Sequence, residues 1–179
     1  GITTGDHNTA VGSDALGGSA GSHITGSNNT AVGSQALLEL EGSANSNTAI
    51  GMNCLMNLTT GADNTAVGVG AGDAITTTTS CVLIGGGAGG AINSADANGT
   101  ISIGHNSGAA ITSGQNNVVI GHQAGLENAI GDCNTVIGYD SWKDSLGSLQ
   151  NDHNTFIGFQ SGSGTWAGGA SGGNVGIGS

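Results

Sequence analysis

The sequence Asn-Thr-Ala-Val-Gly fills positions 8–12 and 29–33, recurs at 47–51 with Ile50 for valine, and recurs again at 64–68. Weaker copies continue along the chain, so that aligned repeats close on Gly12, Gly33, Gly51, Gly68, Gly85, Gly104, Gly121, Gly138, Gly158 and Gly178, 17 to 21 residues apart. A unit this short cannot bury an apolar face of its own. Stacking one unit on the next can, so the repeat predicts a solenoid before any local propensity is considered.

The columns of the repeat carry the rest. The residue before each closing glycine is always valine or isoleucine, and the residue two earlier is always Thr, Val or Ile. Two β-branched columns separated by one position mark a strand, and they are expected to face a common core. The third residue after the glycine is small: Ala36, Cys54, Ala71, Ala88, Ser107, Ala124, Ser141 and Ser161 among them. This suits a second short strand packed inside a narrow coil. Asparagine stands four before the glycine at Asn8, Asn29, Asn47, Asn64, Asn117, Asn134, Asn154 and Asn174, with Cys81 and Thr100 as departures. Stacked asparagines predict a side-chain amide ladder at a corner of the coil. The whole chain, residues 1–179, reads as one all-β repeat domain, a parallel β-solenoid of about ten coils and roughly 50 Å in length.

If the β-branched columns face inward, the residue between them faces out: Ala10, Ala31, Ala49, Ala66, Leu83, Ser102, Val119, Val136, Phe156 and Gly176. An outward column should be polar, whereas this one runs from small to large apolar side chains. A contiguous stripe of that kind marks an interaction surface. The expectation is self-association into a homotrimer through Ala10, Ala31, Ala49, Ala66, Leu83, Val119, Val136 and Phe156. The alternative is a wider coil whose own chain covers this column.

Composition narrows the function classes. One lysine, no arginine and twelve acidic residues give a formal charge of -11. Phosphate backbones need clustered cationic side chains, so nucleic acid and anionic membranes are not expected partners. No apolar run is long enough to span a bilayer, and the sequence reads as a piece of a longer protein whose export is encoded elsewhere. Cys54, Cys81 and Cys133 fall in different columns without metal-ligand spacing, Cys54 at the buried small position. His105 and His122 each follow a closing glycine one unit apart and are expected to stack. No carboxylate or cysteine shares their column, which favours recurring polar turn residues over a metal site, and no cofactor is expected. Asp140, Asp144 and Asp152 are the nearest thing to a paired-carboxylate group of a glycan-cleaving enzyme, but no arginine or catalytic insertion accompanies them. The chain is not expected to be an enzyme. All the aromatic side chains lie late, and Tyr139, Trp142, Phe159 and Trp166 are the candidate receptor patch, because Trp and Tyr anchor sugars and proteins at exposed loops.

The segments NTAVGSDAL at 8–16, NTAVGSQAL at 29–37, NTAIGMNCL at 47–55, NVVIGHQAG at 117–125 and NVGIG at 174–178 resemble the head repeats of trimeric autotransporter adhesins. They are closer still to repeats in phage tail fibres and bacterial surface fibres that end in an endosialidase-type chaperone. The resemblance implies a left-handed parallel β-roll, three copies along a common axis, an extracellular place on a virion tail fibre or a bacterial cell surface, and attachment to a glycan or protein receptor. Two other solenoid functions serve as alternatives: ice binding, which needs an outward threonine array that an inward threonine column does not supply, and glycan cleavage.

Overall fold

Ten three-residue strands form one parallel sheet in chain order. They are β1 (Thr9–Val11), β2 (Thr30–Val32), β3 (Thr48–Ile50), β4 (Thr65–Val67), β5 (Val82–Ile84), β6 (Ile101–Ile103), β7 (Val118–Ile120), β8 (Thr135–Ile137), β9 (Thr155–Ile157) and β10 (Val175–Ile177). The computed structural model describes residues 5–18, 23–93, 95–127, 129, 131–143, 151–164 and 172–179. Pairing is in register throughout: Thr9 on Thr30, Ala31 on Ala49, Val67 on Ile84, Val136 on Phe156. The expected all-β solenoid is therefore present. Its ten strands wind through about eight turns.

Among the described residues each coil carries one named strand, and the expected second strand does not form. The backbone after the closing glycine explains this. The second and fourth residues past it are left-handed, as at Gln35 (φ 59°) and Leu37 (φ 51°), or Asp140 (φ 50°) and Trp142 (φ 49°). Such a path curls the chain back on itself within a few residues and cannot be pleated. Leu16, Leu37, Leu55 and Trp142 hold φ between 48° and 52°, a conformation costing a bulky residue about 1–2 kcal/mol. Each of them is buried, and burying a side chain of that size returns about 2 kcal/mol or more.

Which strand residue points inward is the main correction to the sequence reading. The middle residue is inside: Ala31, Ala49, Ala66, Leu83, Ser102 and Val136 have no exposed surface, and Val119 and Phe156 almost none. The flanking β-branched residues point away from the coil, with Val11, Ile50, Ile84 and Ile177 all exposed. Ala10 is open because β1 is exposed along its whole length. The lumen is too narrow to take two large side chains from every strand. It takes one, together with the small residue three past the glycine and an aliphatic further on, such as Leu40, Leu58, Ile75, Ile92 or Ile111.

Volume inside the coil is traded between two positions six residues apart. Ala31 pairs with Leu37 and Ala49 with Leu55, whereas Leu83, Val119 and Phe156 pair with Gly89, Gly125 and Gly162. A Cβ on Gly89 would meet Leu83 Cδ2 at 2.8 Å, and one on Gly162 would meet Phe156 Cδ1 at 2.5 Å. Interior space is close-packed, so in these coils a large residue at one position leaves no room for one at the other, whereas Val136 and Trp142 are both accommodated, and the space beside Ala66 and Gly72 is filled by Leu55 and Leu83 of the adjoining coils.

The closing glycine is required on two counts. Its φ lies between 126° and 138° in all ten copies, outside the range of other residues. It also sits directly on the glycine of the next coil: a Cβ on Gly68 would lie 2.6 Å from the carbonyl of Gly85. Gly68→Ala should therefore lose at least about 2 kcal/mol of stability, seen as a lowered thermal or urea midpoint. Gly42→Asn, at φ 51° with no atom within 4 Å of the added Cβ, should change the midpoint little.

Candidate interaction surface

With the middle residues inside, the face presented to solvent consists of three columns. The first is Thr9, Thr30, Thr48, Thr65, Val82, Ile101, Val118, Thr135, Thr155 and Val175. The second is Val11, Val32, Ile50, Val67, Ile84, Ile103, Ile120, Ile137, Ile157 and Ile177. The third follows the closing glycine and includes Ser13, Ser34, Met52, Val69, His105, His122, Tyr139 and Phe159, all exposed. Parallel pairing holds these columns straight, one residue per coil at about 4.8 Å. The face is roughly 48 Å by 13 Å, about 600 Å² in outline, with its apolar side chains interleaved with threonine, serine and histidine.

The face is not uniform along its length. From β1 to β4 the first column is threonine, and the third begins with serine. From β5 onward the first two columns are mainly Val and Ile, and the third becomes a ladder of rings. His105 and His122 lie with ring centroids 5.4 Å apart and planes tilted by 37°. His122 stacks on Tyr139 at 5.2 Å, and Tyr139 on Phe159 at 5.5 Å, both nearly parallel.

The candidate receptor residues divide accordingly. Tyr139 and Phe159 are exposed and adjacent, but Tyr139 is covered on both ring faces by its neighbours in the stack. The unshared face lies at Phe159, toward the final coil. Trp142 is not a surface residue: it is 1% exposed and packs on Phe156 with centroids 5.2 Å apart, because its left-handed backbone turns the indole into the lumen. Trp166 lies outside the described residues, as does Asp144. Asp140 is buried, with Oδ2 receiving Lys143 Nζ at 3.3 Å, and Lys143 also donates to Gln123 Oε1 at 3.1 Å. The predicted trimer-interface residues Ala31, Ala49, Ala66, Leu83, Val119, Val136 and Phe156 line the lumen of a single chain and so have no surface for a partner. Ala10, in the exposed first strand, occupies the same column.

The asparagine ladder forms as expected. Asn29 Oδ1 accepts the backbone N–H of Asn47 at 3.0 Å and its side-chain amide at 3.1 Å. Asn47 Oδ1 accepts both groups of Asn64 in the same way, and the second amide hydrogen of Asn47 goes to the Gly61 carbonyl at 2.9 Å. Where the ladder lapses, smaller donors take over its bond to the following coil: Thr100 Oγ1 donates to the Gly114 carbonyl and Cys81 Sγ to that of Ala97. Burial pushes the Cys54 thiol up to about 12 and raises that of Cys81, so both remain unreactive thiols, while Cys133 is exposed.

No protein-family model matches this chain, and comparisons with curated proteins and with solved structures returned no match.

Two substitutions test the lumen and the amide ladder. Phe156→Ala should cost about 3–5 kcal/mol, read from the thermal midpoint, because it empties a filled lumen. Asn64→Asp replaces a donor facing Asn47 Oδ1 and the Thr78 carbonyl with a carboxylate. The charged form is the one penalised, so the new carboxyl's pKa is raised in the folded state. The loss, about 2 kcal/mol or more near pH 7, should shrink as pH falls through that raised value, and a loss that grew in acid would contradict the ladder geometry.

Proposed function

We propose that this chain is a structural and adhesive segment of a homotrimeric fibre that attaches to a cell surface, with copies joined through the outward β-branched face. The observation that supports the reading is the in-register Val and Ile column, exposed or half-buried along all ten strands, which Val82, Ile101, Val118 and Val175 widen in the neighbouring column. A monomer gains nothing from such a face in solution. An area of about 600 Å² per chain approaches the roughly 800 Å² that each partner contributes to a stable interface. The proposed contact residues are now Val82, Ile84, Ile101, Ile103, Val118, Ile120, Ile137 and Ile157, in place of the lumen column. The stiff rod is the carrier, and the turns and longer connections that differ between coils are where a surface glycan or protein receptor is recognised. The place proposed for it is extracellular, on a virion tail fibre or a bacterial cell surface.

A second reading gains support from one observation. Thr9, Thr30, Thr48 and Thr65 stand on the outward side of four consecutive strands, beside Val11, Val32, Ile50 and Val67. Regularly spaced hydroxyl and methyl groups on a flat sheet are the arrangement that an ice-binding solenoid requires, and the inward threonine column expected from sequence is here an outward one.

The two readings are separated by the particle mass in solution, measured by light scattering. The fibre reading expects three chains, reduced to one by Ile120→Asp, and a clean monomer at all concentrations would sink it. Measurable thermal hysteresis in that monomer, lost on Thr48→Asp, would establish the ice-binding reading instead.

A further inference from the structure

Charge is distributed unevenly over the coil. The chain carries twelve acidic residues and one lysine, yet none of them stands in the three outward columns, which run through all ten coils. Copies with a formal charge of -11 repel one another least through such a face, which is a further reason for a second copy to be its occupant. Two side chains in these columns gain charge between pH 8 and pH 5, His105 and His122, and both are exposed. Resting on the reading that copies join through this face, we propose that the histidine pair makes the association pH-dependent: assembled while both imidazoles are neutral, released when they are protonated.

No partner on the face offsets the added charge. The two rings lie with centroids 5.4 Å apart, so protonation puts like charges side by side in each chain. Of the coils packed against them, one presents Gly86, whose added Cβ would lie 3.3 Å from His105 Nδ1, and the other presents Tyr139, stacked on His122 at 5.2 Å. Neither position supplies a carboxylate. Asp140, next to Tyr139, is buried and paired with Lys143 at 3.3 Å. In the same turns Asn106 and Gln123 are neutral, and the strand ends beside the pair are Ile103 and Ile120. Closing this face against a copy strips water from the rings with only apolar groups and amides around them, which penalises the charged form. Added protons also lower the net negative charge of each copy, but that effect acts over long distances and is screened within about 8 Å at physiological ionic strength. Local desolvation decides the sign.

The test is the particle mass of the full chain by light scattering, at fixed ionic strength, at pH 8 and pH 5. Three chains are expected at pH 8 and one at pH 5. If each chain sheds one proton on assembly, the trimerisation constant falls about a thousandfold for each pH unit below the imidazole range. His105→Phe/His122→Phe keeps the ring column, and His105→Gln/His122→Gln keeps a neutral polar one. Both should stay trimeric at pH 5, with His7, His23 and His153 still present. A trimer of the unaltered chain that persists at pH 5 overturns the proposal, as does dissociation that the double variants also show or that comes with loss of the β-sheet circular dichroism signal. A monomer at pH 8 overturns the association reading itself, and this proposal with it.

Discussion

The parallel backbone ladder between coils is the constraint on which the rest depends. Each strand binds the next through bonds such as Thr48 N–H to the Asn64 carbonyl and Gly51 N–H to the Val32 carbonyl, both 2.8 Å. These bonds set the coil spacing at the strand–strand distance and allow no slack. At that spacing the turn after each strand brings backbone onto backbone, so only glycine fits. The same spacing is one that a primary amide can bridge, so asparagine at the corner donates and accepts along the rod axis. It also lets planar rings in one column stack. Glycine column, amide ladder and ring ladder are three consequences of one distance.

The repeat, the parallel solenoid, the in-register strands and the amide ladder were legible in the sequence because each follows from which residue types recur. The direction of the strand faces was not. Period two separates two faces but does not label them, and the assumption that β-branched columns belong inside fails in a lumen this narrow. A signal that labels them was present. Ala31 with Leu37, Ala49 with Leu55, Leu83 with Gly89 and Phe156 with Gly162 exchange volume between the middle strand position and the position six later. Two positions that compensate each other's size in most coils share one interior, with Ala66 and Gly72, Ser102 and Gly108, and Val136 and Trp142 as departures. The Val and Ile column, exposed or half-buried, has no such partner among the described residues.

Reversing the faces transfers function as well as packing. Phe156 and Trp142, expected from sequence at the surface, one facing copies of the chain and one a receptor, fill the lumen against each other. Threonines that seemed to be core residues become a surface array. The left-handed turn residues explain why a sequence pattern misplaces Trp142: three residues past the exposed Tyr139 it lies in a turn, and φ of 49° swings it beneath the sheet.

Strand propensity alone accounts for part of the outward face. β-branched residues favour extended backbone even when exposed, so a threonine column over β1 to β4 requires no partner. It does not account for the third column. That position lies past the glycine in a turn, where strand propensity has no bearing and polar residues are the default. There the chain carries Ser13 and Ser34, then Met52, Val69 and Gly86, and then the rings of His105, His122, Tyr139 and Phe159. The neighbouring strand columns also become more apolar from Val82 onward. Turn and strand positions obey different local rules, so their shared drift along the rod is a property of the face as a whole. A demand placed on the face from outside, by a second copy or another surface, is the kind of cause that acts on both.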